Sequence, residues 1–157
     1  MVVQEKKSNY DTDIFQSLIN KISEISGKPY GIKEEWDIAL RVVADHIRAI
    51  AFSVADGQIP SNNKAGYVIR RILRRAVRYG YTSLEMEEPF LFRLVGVLAE
   101  TMGDAYPELI SRKSQIEKII LEEETSFLKT LGKGLRLIEK LTSDLQKEKK
   151  TILPGKD

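Results

Sequence analysis

Ala65-Gly66-Tyr67-Val68-Ile69-Arg70-Arg71-Ile72-Leu73-Arg74-Arg75-Ala76-Val77-Arg78-Tyr79-Gly80 decides how the rest of the chain is read. At about 100° per residue from Val68, the apolar Val68, Ile69, Ile72, Leu73, Ala76 and Val77 fall between roughly 0° and 180°. Arg70, Arg71, Arg74, Arg75 and Arg78 fall between roughly 200° and 340°, with Tyr67 projected among them. The pattern predicts a helix over about 65–79, closed by Gly80. One half suits a core. The other carries five guanidinium groups, whose planar forks donate paired hydrogen bonds to phosphate and stay charged at physiological pH.

The surrounding composition sharpens this. Over residues 57–84 there is no Asp or Glu, yet Lys64 and the five arginines lie there. The whole chain carries 25 Lys+Arg against 23 Asp+Glu, a net +2; outside this segment the balance is 19 against 23, or −4. A mildly acidic body therefore carries one basic element, and total charge hides it. Like charges at these spacings repel, and no acid within the segment offsets them.

Working outward, helical spacing recurs almost everywhere. Upstream, Ile14, Leu18, Ile22 and Ile25 form a stripe that starts after N-cap candidates in 9–13 and stops at Gly27. Trp36, Leu40, Val43, Ile47, Ile50 and Val54 predict a second helix over about 34–55. Residues 56–63 are dense in turn formers and read as a loop ending near an N-cap. Downstream, a fourth helix is expected from Pro89 to Gly103, with Phe90, Leu91, Leu94, Val95, Leu98 and Met102 inward. A further helix restarts at Tyr106-Pro107-Glu108 and continues, whole or with a break, to about Lys150. Its stripe is Ile116, Ile120, Phe127, Leu131, Leu135, Ile138, Leu141 and Leu145, with a bend or break where Gly132 and Gly134 lower helix propensity. The fold class is all-α: an antiparallel helical bundle with a long C-terminal helical arm.

The 157 residues, 42% hydrophobic and 31% charged, suit one globular domain. With no cysteine there is no disulfide, thiolate metal site or cysteine nucleophile, and one histidine, His46, makes no multi-histidine site. No apolar run approaches the ~20 residues of a membrane span, and the N-terminus lacks the order of a signal peptide. We find no phosphate-cradling glycine loop, no nucleophile–base pair and no distinctive carboxylate pair, so no catalytic or metal-binding residue is assigned. His46 reads as structural or surface, Trp36 and Phe90/Phe92 as core, and Glu122-Glu123-Glu124 as a solvated helix face.

Three readings of the basic face compete: a solvated surface paired with acids from the body, an anionic membrane surface, and a nucleic-acid backbone. The membrane reading is weakened because the apolar half lacks Trp and Phe. The preceding loop favours the last, since Ser61, Asn62, Asn63 and Lys64 lie at a helix N-terminus, where free N–H groups suit anions. Asn62 can also read base edges, although Ser61 or Asn62 serving only as an N-cap is equally compatible. The candidate RNA-contacting residues are Asn62, Lys64, Tyr67, Arg70, Arg71, Arg74, Arg75 and Arg78. The competing class is a non-catalytic protein-interaction bundle that docks through the basic helix.

These residues carry a family likeness. Arg41-Val42-Val43-Ala44-Asp45-His46-Ile47-Arg48, then Ala55-Asp56-Gly57, Pro60-Ser61-Asn62 and 66–78 resemble alanyl-tRNA synthetase, a class II aminoacyl-tRNA synthetase, in order and spacing. Residues 8–15 resemble the end of that family's catalytic module, and Pro89-Phe90-Leu91, Tyr106-Pro107-Glu108-Leu109 and Glu122 through Phe127 its helical region. The resemblance implies an internal fragment: residues 1–30 as the tail of the catalytic module, 31–150 as the helical tRNA-recognition domain, and 151–157 as the start of a linker.

The likeness implies a parent enzyme, alanine–tRNA ligase, that attaches alanine to tRNA with ATP; the fragment alone, lacking the class II motifs, is expected to be inactive. ATP–Mg and zinc are expected for the parent and no cofactor for this fragment. The implied partners are the tRNA(Ala) acceptor stem and the remaining domains of the parent, with no membrane and no DNA, in the cytoplasm. In this family the tRNA is identified by a G·U wobble pair; Asn62 matches the residue of the Pro-Ser-Asn element that contacts it. The Arg70–Arg78 face would hold phosphates, and an acidic partner for Asn62 would lie beyond Asp157.

Overall fold

The computed structural model describes the backbone of residues 4–147 and the side chains of 4–143. The described residues form six α-helices: α1 Asp13–Ser26, α2 Glu34–Ala55, α3 Lys64–Ser83, α4 Leu94–Met102, α5 Pro107–Ser111 and α6 Lys113–Lys147. Short 3-10 turns at Asn9–Asp11 and Leu91–Arg93 precede α1 and α4, and no strand occurs among the described residues. The all-α reading holds.

Each helix is placed by its apolar stripe. α1 buries Leu18, Ile19 and Ile22 and ends where Gly27 turns left-handed at φ 68°, a conformation that L side chains resist. α2 buries Leu40, Val43, Ile47, Ile50 and Val54, while Trp36 at its start is only half-buried. Between those residues Ala39, Ala44, Ala51 and Ala55 are also buried, a run of small side chains that admits close neighbours. The loop 56–63 then returns α3 along α2, and these two helices form the most extensive pair in the fold. α1 and α4 pack on α2 from another side, and α6 lies across α3, α4 and the Leu91–Arg93 turn.

Four sequence expectations are corrected. Gly80 does not close α3, which runs on to Ser83; Gly80 is buried inside it, because the Phe90 ring lies where a Cβ would stand. The helix expected from Pro89 starts later, at the 3-10 turn. The Phe90 and Leu91 N–H groups donate to the buried Glu124 carboxylate at 3.0–3.2 Å, so this corner is held by a side chain from α6 instead of a helical ladder. The helix restarted at Pro107 breaks at Arg112, whose guanidinium reaches back to the Ala55 carbonyl at 2.6 Å. Finally, α6 continues unbroken through Gly132 and Gly134, so their propensity penalty of about 1 kcal/mol each is absorbed by the helix around them.

The first part of α6 is core and the rest is arm. Ile116 and Ile120 are buried, Phe127 and Leu128 pack at the margin, and Leu137, Ile138 and Leu141 are exposed. Leu145's side chain, the three residues expected to extend this helix and the linker 151–157 lie outside the described residues.

Candidate nucleic-acid interface

The site begins with the loop that delivers α3. Ser61 N–H donates to the Gly66 carbonyl at 3.0 Å, folding residues 59–61 back against the first turn of the helix. That contact leaves no room at position 66 for a side chain, because a Cβ there would strike the Ser61 hydroxyl and the Ile59 carbonyl. Lys64, exposed, makes the entry turn with φ 50°, a left-handed conformation uncommon outside glycine. Asn63 occupies the N-cap position, and no side chain caps the helix there. Ser61 Oγ instead donates to the Asn63 carbonyl at 2.9 Å and accepts from Asn63 N–H at 3.3 Å. Asn62, exposed at the loop tip, uses its side-chain Oδ1 to accept from Arg70 Nη1 at 2.5 Å. Neither Ser61 nor Asn62 acts as the N-cap that the sequence left open.

Along α3 the helical projection is realised with one modification. Ile69, Leu73, Ala76 and Val77 are buried, Ile72 is half-buried, and Val68, expected inward, is 54% exposed. The arginines divide into two sets. Arg71, Arg75 and Arg78 are exposed to solvent. Arg70 and Arg74 turn toward α6, where Glu123 takes Arg70 Nη2 on Oε2 at 2.9 Å and Arg74 Nε and Nη2 on Oε1 at 3.0 and 2.9 Å. The Glu123 side chain is 11% exposed and Arg70 21%, so their pair is screened from water more than a surface bridge, whereas Arg74 keeps 41% of its side chain in solvent. The solvated-face reading of Glu122-Glu123-Glu124 is corrected: Glu122 is exposed, Glu123 pairs with α3, and Glu124 is fully buried. The acid that the basic segment lacks locally arrives from α6.

An open groove of about 660 Å3 runs along α3 and is lined by Tyr67, Arg71, Arg74, Arg75, Arg78 and His46, among others. Rings flank the cations: Arg71 lies 5.7 Å from the Tyr67 ring centroid, Arg74 5.2 Å from Phe127, and Arg75 and Arg78 5.9 and 5.7 Å from Tyr79. Such contacts hold guanidinium stems while leaving their edges free to donate. Of the eight candidate residues, the groove is lined by Tyr67 and four arginines, whereas Asn62, Lys64 and Arg70 do not line it, and Asn62 and Arg70 bond to each other. His46, read as structural or surface, lies at the groove with Nδ1 3.2 Å from Asp45 Oδ2.

Glu123, Glu124 and Phe127 are the participants that sequence reasoning missed. Glu124 had a signal: residues 116, 120, 124, 127 and 131 form one helical stripe, and Glu124 stands in its middle. Burial drives its carboxyl up to about 7, against the pull of the backbone N–H groups of Phe90, Leu91 and Phe92 and of Arg93. Among the described residues there is no group of three or more His, Cys, Asp or Glu able to hold a metal, and none of the helices is long and apolar enough to cross a membrane.

The chain matches the family described as tRNA synthetases class II (A) over residues 1–157. It is 60% identical over 157 residues to the alanine–tRNA ligase of Bacteroides fragilis, covering 100% of this chain and 18% of that protein. The alanine–tRNA ligases of Parabacteroides distasonis, 59% identical over 157 residues, and Cytophaga hutchinsonii, 55% over 156, align with 100% and 99% of this chain and 18% of each protein. The chain thus spans under a fifth of the length of these relatives. It belongs to the class II (A) family of tRNA synthetases, and represents a segment that it shares with the alanine–tRNA ligases.

Proposed function

We propose that this segment binds the acceptor stem of tRNA(Ala) through α3 and its leading loop, and contributes to recognition of the G·U wobble pair. The parent, on this reading, is an alanine–tRNA ligase that attaches alanine to tRNA using ATP. The observation that carries the proposal is the row Arg71, Arg75 and Arg78, unpaired among the described residues and facing solvent along one groove, with Asn62 on the loop that leads into α3. The arginines hold backbone phosphates and set register; Asn62 discriminates at a base edge, which the wide, shallow minor groove of A-form RNA makes reachable. ATP–Mg and zinc are what the family implies for the parent enzyme; among the described residues there is no group of three or more His, Cys, Asp or Glu that could hold a metal.

Three exposed arginines and Lys64 amount to about four phosphate contacts, for which log affinity falls with log salt with a slope of about −3 to −4. Fluorescence titration of acceptor-stem duplexes with a G·U or a G·C pair, at several salt concentrations, tests this. Asn62→Ala is expected to reduce the G·U preference by about 1–3 kcal/mol. Equal weakening for both duplexes would assign Asn62 to positioning alone, and no binding at low salt would overturn the proposal. A second reading, a protein-docking bundle, is favoured by Leu137 and Ile138, 58% and 57% exposed on the arm of α6. Concentration-dependent self-association by sedimentation, with no duplex binding, is its signature.

A further inference from the structure

Asn62 and Glu123 are 61 residues apart in sequence and do not touch, yet one guanidinium joins them. Arg70 donates through Nη1 to Asn62 Oδ1 and through Nη2 to Glu123 Oε2, while the other Glu123 oxygen is occupied by Arg74. A guanidinium has donors and no acceptor, so the amide atom facing Arg70 must be the oxygen. That fixes which way the amide stands: Nδ2, without a partner among the described residues, is the atom left to offer outward. The rigid fork of Arg70 can hold this geometry only while something holds Arg70, and the carboxylate of Glu123 does so from a site 11% exposed.

We infer that Glu123 is a positioning residue for RNA discrimination, acting through Arg70 to lock the Asn62 amide as a hydrogen-bond donor. The inference rests on the acceptor-stem reading above. Asn62 then takes an acceptor on the shallow-groove edge, a ring nitrogen, a carbonyl oxygen or a ribose hydroxyl, and discriminates by where that acceptor stands, because the wobble pair displaces its bases relative to a Watson–Crick pair. The arrangement also separates two duties among the arginines. Arg71, Arg75 and Arg78 supply charge to phosphates, whereas Arg70 and Arg74 share the single Glu123 carboxylate, which offsets half of their charge, and supply geometry.

The separation gives Glu123→Gln a signed outcome. Removing the carboxylate frees two guanidinium groups for phosphate, so affinity for a G·C duplex holds or rises and its salt slope steepens. The G·U preference falls at the same time, by at least about fivefold, toward that of Asn62→Ala. Arg70→Lys, which keeps the charge and loses the fork, is expected to lose the preference as well. A residue that merely ties α6 to α3 would weaken both duplexes alike. An unchanged G·U to G·C ratio in Glu123→Gln overturns the inference.

A measurement without RNA separates the two claims. In nitrogen–proton correlation spectra of the 157-residue chain, Glu123→Gln is expected to shift or broaden the side-chain NH2 pair of Asn62. Unmoved Asn62 signals would overturn the relay even if duplex binding is strong. Absent duplex binding in the unmodified chain, with Asn62 signals that respond to Glu123→Gln, would instead sink the acceptor-stem reading and leave the relay standing.

Discussion

Replacing Glu124 with Gln should remove a pH dependence that the native chain carries across the neutral range. The carboxyl has no exposed surface, accepts from Phe90 and Leu91 N–H, and titrates at about 7 instead of the usual 4.5. Below pH 4.5 the group is protonated in both folded and unfolded chains and contributes no pH dependence. Between 4.5 and 7 the unfolded chain releases the proton and the folded chain keeps it, so stability falls as pH rises and levels off above 7. At 1.36 kcal/mol per unit, the fall amounts to about 3 kcal/mol. That is a large part of the ~5–15 kcal/mol that holds an ordinary domain together.

Gln keeps the shape and the acceptor oxygen while remaining neutral, so the variant should match the native chain near pH 4 and exceed it by about 3 kcal/mol near pH 8. Urea unfolding followed by circular dichroism reads this directly. With a slope of about 2 kcal/mol per molar, the difference between midpoints should open by roughly 1.5 M over that range. Titration of the other carboxylates is common to both proteins and drops out of the difference. A flat difference from pH 4 to 8 would refute the reasoning, since it would mean that the buried site holds the ionised form as readily as water does. Glu124→Ala is the control for shape: it strands two backbone donors and should destabilise at every pH by about 1–3 kcal/mol for each.

Arg75→Ala should lower the salt slope of duplex binding by about 1 and leave the urea midpoint nearly unchanged, because Arg75 is exposed and forms no ion pair among the described residues. Arg74→Ala should also lose stability, by about 1–3 kcal/mol, since it removes both bonds to one oxygen of the mostly buried Glu123; a midpoint as unaffected as that of Arg75→Ala would show the pair to be decorative. Gly80→Ala drives a methyl into the Phe90 ring and should lower thermal stability by about 1–3 kcal/mol. Gly66→Ala meets Ser61 and the Ile59 carbonyl and should displace the Asn62 loop as well, seen as a weaker G·U preference; retained preference would mean that the loop is not held where α3 begins.

The sequence made the elements legible because most of them are set by local periodicity. α2 falls at 34–55 as its stripe requires, and Gly27 ends α1 as a left-handed residue should. Misreadings occurred where a distant side chain replaced a local rule. Phe90 looked helical from its neighbours, but Glu124, 34 residues away, claims its N–H. Gly80 looked like a stop signal, but the Phe90 ring makes glycine the residue that fits inside a continuing helix. The candidate RNA-contacting residues were nameable from charge and pattern; their division into free and acid-paired arginines was not, because it depends on which face α6 presents.

Three consecutive glutamates show why this division escapes a composition-based reading. At about 100° per residue, neighbours on a helix point in three directions, so Glu122, Glu123 and Glu124 cannot share one environment. Glu124 continues the stripe of Ile116 and Ile120 into the core, Glu123 faces the arginines of α3, and Glu122 meets water. The buried acid and the paired acid are therefore mechanically linked. Glu124 holds the Phe90–Leu91 corner onto α6, and α6 held in that register presents Glu123 to Arg70 and Arg74. Ionising Glu124 strengthens its bonds to the Phe90 and Leu91 N–H groups but leaves a desolvated charge in the core, so α6 shifts to admit water and the second contact loosens. The Asn62 amide signals of the native chain should then drift between pH 6 and 8 and stay fixed in Glu124→Gln. Drift that persists in the variant would place the titrating group elsewhere and break the proposed link between core and interface.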